Sequence, residues 1–192
     1  MLVLNWPGQM SYDSVEQLAE ARAGFYHSWH PPVMAWAMGL FDSLLAGTGL
    51  FILFNCALAL FAFHTFAQPR RATGLTLLLA VLVMLSPQWL LYQGIVWKDV
   101  LFADAALAGF AALARAARGN PLWYPPALLL LALAMMTRQN GLVIVPVAAA
   151  GMAALLWRRM APRQAVGAAL LFAGLVIGLA LGGEALLALR GD

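Results

Sequence analysis

Residues 49–66, GLFILFNCALALFAFHTF, carry no formal charge. About 20 such residues are what a helix needs to cross the roughly 30 Å hydrocarbon core of a bilayer. A chain holding several such runs has few folds open to it. Apolar runs occur at 48–67, 74–92, 100–117, 125–137, 141–157 and 164–182. Only 10% of the 192 residues are charged and 64% are hydrophobic, whereas an ordinary soluble domain carries about 25% charged residues. These features predict an all-α, polytopic transmembrane helical bundle of about six spans. They exclude a soluble globular domain, a disordered chain and a coiled coil. The single cysteine, Cys56, lies inside an apolar run, which excludes a disulfide framework and a cysteine-based metal site.

The arginines orient the bundle. Arg70 and Arg71 follow the first run, Arg115 and Arg118 the third, and Arg158, Arg159 and Arg163 separate the fifth from the sixth. Two spans lie between one cluster and the next, so a single topology puts all seven on the cytoplasmic side, as the positive-inside rule requires. Residues 1–47, the loop near 87–99 and the turn at 138–140 then face outward. The chain divides into an outer-face catalytic-type loop with short juxtamembrane helices, 1–47, and the transmembrane bundle, 48–192. Residues 125–157 are too long for one span and are interrupted by Arg138-Gln139-Asn140. They read as a hairpin whose arms of 13 and 17 residues are shorter than the core is thick, with Arg138 recessed in a protein-lined cavity. The apolar segment 33–46 is likewise too short to span. MLVLNWPGQ reads as the junction after a hydrophobic helix, so a further transmembrane segment is expected ahead of it.

The three outward segments hold the polar residues of interest. Asp13 and Glu16 have capping-box spacing, with a helix expected over 14–26. Asp13 is either an N-cap or a carboxylate able to take a proton from an attacking hydroxyl, and one position can serve both roles. Glu16 and Glu20 read as a solvated face. His27 and His30 are three apart, too few ligands for a metal site by themselves, and Pro31-Pro32 can open a following helix. Lys98 is the only lysine of the chain. With Asp99, and with Asp104 about a turn further on, it puts charge at the mouth of a span. The plain reading is an interfacial anchor; the functional one is an ammonium that pairs with phosphate beside an orienting Asp99. Arg138 either snorkels to lipid headgroups or binds the phosphate of a substrate.

An aspartate-bearing outer loop that runs from Pro7-Gly8 through Asp13 to His30-Pro31-Pro32 resembles the start of GT-C-type integral-membrane glycosyltransferases. This superfamily includes the protein O-mannosyltransferases and the bacterial aminoarabinose and lipopolysaccharide sugar transferases. A short apolar helix, a glycine turn and a long span follow here as they do there. Lys98-Asp99 and Thr137-Arg138-Gln139-Asn140-Gly141 look like later outer-face motifs of the bacterial members, and the likeness extends over about residues 5–160. It implies transfer of a sugar, with inversion, from a polyprenyl-phosphate-linked donor to a lipid, glycan or protein acceptor outside the cytoplasm. Asp13 would be the catalytic base; His30, Lys98, Asp99, Arg138 and Gln139 would bind substrate. No cofactor is certain: a divalent metal is compatible with the resemblance, and no residue demands one. The partners implied are the lipid-linked donor, the acceptor and the bilayer, without nucleic acid; the location is a bacterial inner membrane, with the active face outward. The superfamily's members carry a helix before the aspartate loop, more spans and often an outer C-terminal domain. None of these is found in the 192 residues, so the chain is expected to be a fragment or an inactive relative.

Two other classes compete. A small transporter would line a polar path with Lys98, Asp104 and Arg138, and would show inverted-repeat symmetry, which the chain lacks. A non-catalytic structural membrane protein would leave Asp13, Lys98 and Arg138 scattered, each with a local partner.

Overall fold

Long apolar runs become helices because in lipid each backbone N–H and C=O must be satisfied within its own segment. A computed structural model of the protein, describing residues 2–27, 29–67 and 73–189, is mostly helical. In chain order its elements are α1 (Leu2–Asn5), β1 (Gln9–Met10), α2 (Tyr12–Ala23), α3 (Pro32–Leu44), α4 (Gly49–Ala67), α5 (Gly74–Met84) and α6 (Pro87–Tyr92). Then come β2 (Ile95–Val96), α7 (Lys98–Ala117), α8 (Tyr124–Thr137), α9 (Ile144–Leu156) and α10 (Pro162–Ala188). Among the described residues, three helices are long and apolar enough to cross a membrane: Gly49–Phe66 within α4, α7, and α10.

The other expected spans are shorter. The run at 74–92 is divided, because α5 ends at Met84 and Pro87, which lacks an N–H, opens α6 behind the N-cap Ser86. The hairpin expected over 125–157 is present as α8 and α9, of 14 and 13 residues. A 3₁₀ turn at Gly141–Val143 joins them. The segment at 33–46 forms α3, with Pro32 in its first turn. Arg70 and Arg71 lie outside the described residues.

The core is built on α7. The middle of its buried face is small: Ala105, Ala108, Gly109, Ala111 and Ala112. Small residues let helices approach closely where lipid supplies no hydrophobic drive between them. α8 uses that closeness, since a Cβ added at Gly109 would lie 2.8 Å from Leu131 Cγ. Leucines on α5 and α10, among them Leu75, Leu82, Leu170 and Leu171, point outward, an apolar exterior suited to lipid.

The N-terminal segment is tied to this core by backbone. β1 pairs with β2 in parallel, Gln9 opposite Ile95 and Met10 opposite Val96. Gly8 permits the approach. Its φ is +110°, and a Cβ there would come within 2.7 Å of Ile52 Cγ1. A second tie holds α2, α3 and the entry to α4. Arg22 Nε and Nη2 donate to the two Asp42 oxygens at 2.9 and 2.7 Å, and the Gly47 N–H donates to Asp42 Oδ1 at 2.7 Å. The Arg22 hydrogen bonds, with help from Gly47, hold the Asp42 carboxyl down at about 2.

Two outcomes are expected. Gly109→Ala should lower the unfolding midpoint in detergent, by about 1–3 kcal/mol of overpacking, while Gly151→Ala, with nothing within 4 Å of its added Cβ, should be neutral or stabilising. Asp42 has a lowered folded pKa, so its contribution is complete above the usual 3.8 and lost as pH falls through about 2. Thermal unfolding scanned over that window should show the loss, and Asp42→Asn should remove the dependence.

Candidate functional site

Helix α2 begins differently from the capping box expected. The N-cap is Ser11, whose Oγ accepts from the Ser14 N–H at 3.3 Å. Asp13 sits in the first turn, where the helix dipole favours a carboxylate, and is therefore released from capping. The helix stops at Ala23 because Gly24 takes a left-handed conformation, φ 69°, and caps it. Ser14, almost fully buried, donates its hydroxyl to the Val96 carbonyl. That bond and the strand pair bring Asp13 beside Trp97, Lys98 and Asp99, and these four residues share a cavity of about 290 Å³.

His30 precedes the two prolines that open α3. Its Nδ1 lies 3.5 Å from Lys98 Nζ and its Nε2 lies 4.0 Å from Asp13 Oδ2. A lysine ammonium can only donate, so Nδ1 accepts and the ring proton occupies Nε2, facing the Asp13 carboxylate. His30 therefore stands between the cation of α7 and the carboxylate of α2.

Arg138 follows α8 in an extended conformation. The Thr137 hydroxyl donates to the Leu133 and Ala134 carbonyls, which finishes the helix. Gly141 packs so closely that a Cβ would meet the Met135 carbonyl oxygen, and the tight turn presents Arg138 toward α7. Its Nη1 is 2.7 Å from Asp99 Oδ1, an ion pair by distance, although that oxygen has no hydrogen bond of proper alignment. The guanidinium also lies 5.9 Å from the centre of the Phe102 ring. Both partners are nearly half exposed, at 40% and 47%, so the pair orients more than it stabilises.

Arg138, Gln139 and His30 line a second cavity, of about 600 Å³, together with Glu184 of α10. All six residues singled out in the sequence are thus at one end of the bundle: Asp13, Lys98 and Asp99 in one cavity, His30, Arg138 and Gln139 in its neighbour. Next to the second cavity, and sharing Met136 and Leu187 with it, is an apolar groove of about 810 Å³ walled by α3, α8 and α10.

The opposite end carries arginine. Arg115 lies 5.2 Å from the centre of Phe61 and 4.8 Å from that of Trp123, two rings stacked on each other. Arg118 follows it at the end of α7, and Arg159, between α9 and α10, reaches the same end: its Nη1 lies 3.3 Å from where a Cβ on Gly119 would stand.

Several roles were not visible in the sequence. Asp104 is fully buried, and the Gln93 amide donates to both its oxygens at 2.8 and 3.0 Å. It anchors the loop ahead of Lys98 and does not line the site. Glu184 is one acid in a long apolar helix, and only the fold brings it to the cavity that Arg138 lines. Among the described residues, no three His, Cys, Asp or Glu side chains gather closely enough to hold a metal ion. No family model, curated protein or solved structure matches the chain.

Ser14→Ala should remove the buried donor with little change in side-chain volume. The Val96 carbonyl is then left unpaired, at a cost of about 1–3 kcal/mol. Denaturant unfolding in detergent should show this loss, with Ser11→Ala costing roughly 1 kcal/mol.

Proposed function

We propose that this chain is a GT-C-type membrane glycosyltransferase that moves a sugar from a polyprenyl-phosphate-linked donor to an acceptor outside the cytoplasm. In this reading the chain makes about six crossings of a bacterial inner membrane, counting the short helices, with the arginine end inside and the Asp13 end outside. The single observation that carries it is the meeting of Asp13, His30, Lys98, Asp99 and Arg138, from four separated stretches of chain, beside an apolar groove. Two cations next to a carboxylate suit a reaction in which a phosphate leaves and a hydroxyl attacks. The groove suits a leaving group with a lipid tail.

The reaction divides accordingly. The acceptor hydroxyl gives its proton to Asp13 as its oxygen bonds to the anomeric carbon. The bond from that carbon to the phosphate oxygen breaks, and its electron pair leaves with the lipid phosphate. Attack from the face opposite the leaving group inverts the configuration. Lys98 and Arg138 neutralise the charge that grows on the phosphate. Their present partners keep them in place without using them up, since an ammonium has three donors and a guanidinium five. His30 aims its Nε2–H at Asp13, and Asp99 orients Arg138. Gln139 lies at the rim of the donor cavity, where its amide can hydrogen-bond the sugar.

The test uses the full chain in proteoliposomes with a panel of polyprenyl-phosphate hexoses. Asp13→Asn should reduce transfer by roughly 10²–10⁴-fold while insertion and unfolding midpoint are kept. Lys98→Ala should weaken use of the donor more than use of the acceptor. Transfer undiminished in Asp13→Asn would remove the base, and equal losses toward both substrates in Lys98→Ala would remove the phosphate role.

A further inference from the structure

Beyond His30 lies a third cavity, of about 610 Å³, between α2 and the segment that leads to α3. Its walls include Glu16 and Glu20 of α2 and the rings of Phe25, His27, Trp29 and His30. That volume is in the range of small-molecule sites, roughly 300–1,000 Å³. Asp13, Glu16 and Glu20 are spaced three and four apart, which places them along one helix face. The cleft and the proposed base therefore share a helix face as well as His30.

The lining specifies a ligand by charge. Ionised carboxylates accept hydrogen bonds and cannot donate them. Two of them face the cleft, and the nearby cations are engaged elsewhere. Arg22, on the same helix, is turned to Asp42 with both arms of its guanidinium. Lys98 is turned to the Nδ1 of His30, the ring nitrogen away from Asp13. Glu16 accepts the Tyr12 hydroxyl, which raises that phenol above its usual value. The Glu20 carboxylate has no hydrogen-bond or ion-pair partner among the described residues. The aromatic walls add to this preference: the Phe25 and His27 rings brace each other edge to face at 5.1 Å, and Trp29 is 81% exposed. Negative charge and open ring faces together recognise an organic cation.

We propose that this cleft binds an amino sugar through its protonated amine, and that the sugar is the acceptor in the transfer reaction. The amine sits between the carboxylates and Trp29, and a hydroxyl on the same ring reaches Asp13 past His30. One helical turn, about 5–6 Å between Cβ atoms, separates Asp13 from Glu16, a span that one pyranose ring bridges. The polar end is then divided by sign: an anionic donor phosphate goes to Lys98 and Arg138, and a cationic acceptor to α2. The acceptor role rests on the glycosyltransferase reading, whereas recognition of the amine does not.

The experiment titrates the full chain in detergent micelles with glucosamine, N-acetylglucosamine and Nα-acetyl-lysine amide. The signal is the part of the fluorescence change that Trp29→Phe abolishes. Glucosamine should bind saturably, and N-acetylglucosamine, which keeps the ring but loses the charge, at least tenfold more weakly. The double variant Glu16→Gln, Glu20→Gln should weaken glucosamine binding at least tenfold. Equal binding of the charged and neutral sugars, an unaffected double variant, or tighter binding of the lysine derivative would each overturn the proposal. The sugar comparison on the unaltered chain decides the matter even where the double variant does not fold. Asp13→Asn separates the two readings: it should abolish transfer yet bind glucosamine within threefold of the parent. A failed isotherm thus removes the cleft alone, and retained turnover removes the base alone.

Discussion

Two residues of parallel strand and one serine hydroxyl attach the N-terminal segment to the head of α7. These bonds are few, but they are directional, and that of Ser14 is buried, where an unmade partner would cost more than the bond contributes. Without them α2 would be held to α3 and the entry to α4, through Arg22 and Asp42, but not to the head of α7. With them, the position of Asp13 is defined relative to Lys98. A hydrophobic contact could not do this, because apolar packing is non-directional and tolerates sliding.

The charged groups of the site form two linked sets, Asp13–His30–Lys98 and Asp99–Arg138, joined where Lys98 and Asp99 are adjacent in α7. Reading from α2, the order is carboxylate, imidazole, ammonium, carboxylate, guanidinium, from Asp13 through His30, Lys98 and Asp99 to Arg138. Partly exposed pairs of this kind add little stability. Their contribution is preorganisation, since each side chain is held near a geometry that a substrate can use without first ordering it. The Arg22–Asp42 pair has a different task. It is bidentate, and Asp42 also receives the Gly47 N–H, so it closes the angle between α2, α3 and α4.

Much of this arrangement was legible in the order of residues. Apolar run lengths located α4, α7 and α10, and the polar interruption at 138–140 located the hairpin, because a bilayer penalises exposed backbone and charge so heavily that composition alone marks the crossings. The clustering of Asp13, Lys98 and Arg138 followed from counting crossings between arginine groups. Where local alternatives differ by about 1 kcal/mol, the sequence was ambiguous. Ser11 caps α2 in place of Asp13, two oxygen-bearing side chains of similar capping strength. The pairing of 9–10 with 95–96 has no local signature, since two-residue strands carry no periodicity. The partners of Asp42 and Asp104 lie 20 and 11 residues away in the chain, and nothing adjacent to either acid names Arg22 or Gln93; likewise nothing near Glu184 says that it lines the same cavity as Arg138. The break between α5 and α6 was signalled by Pro87 but is sharper than a kink in a continuous span.

The length of α7 has one more implication. Its 20 residues extend for about 30 Å at 1.5 Å each, close to the thickness of the hydrocarbon layer. Arg115 is clamped at one end between helix and aromatic rings, and Lys98 stands at the other. The helix is therefore a ruler with both marks charged: in a bilayer of matching thickness the ammonium lies at the level of the phosphates. A thicker leaflet pair would draw Lys98 beneath that level and a thinner one would lift it clear. Under the proposed function, acyl-chain length in the surrounding lipid would thereby set how well Lys98 meets the donor phosphate.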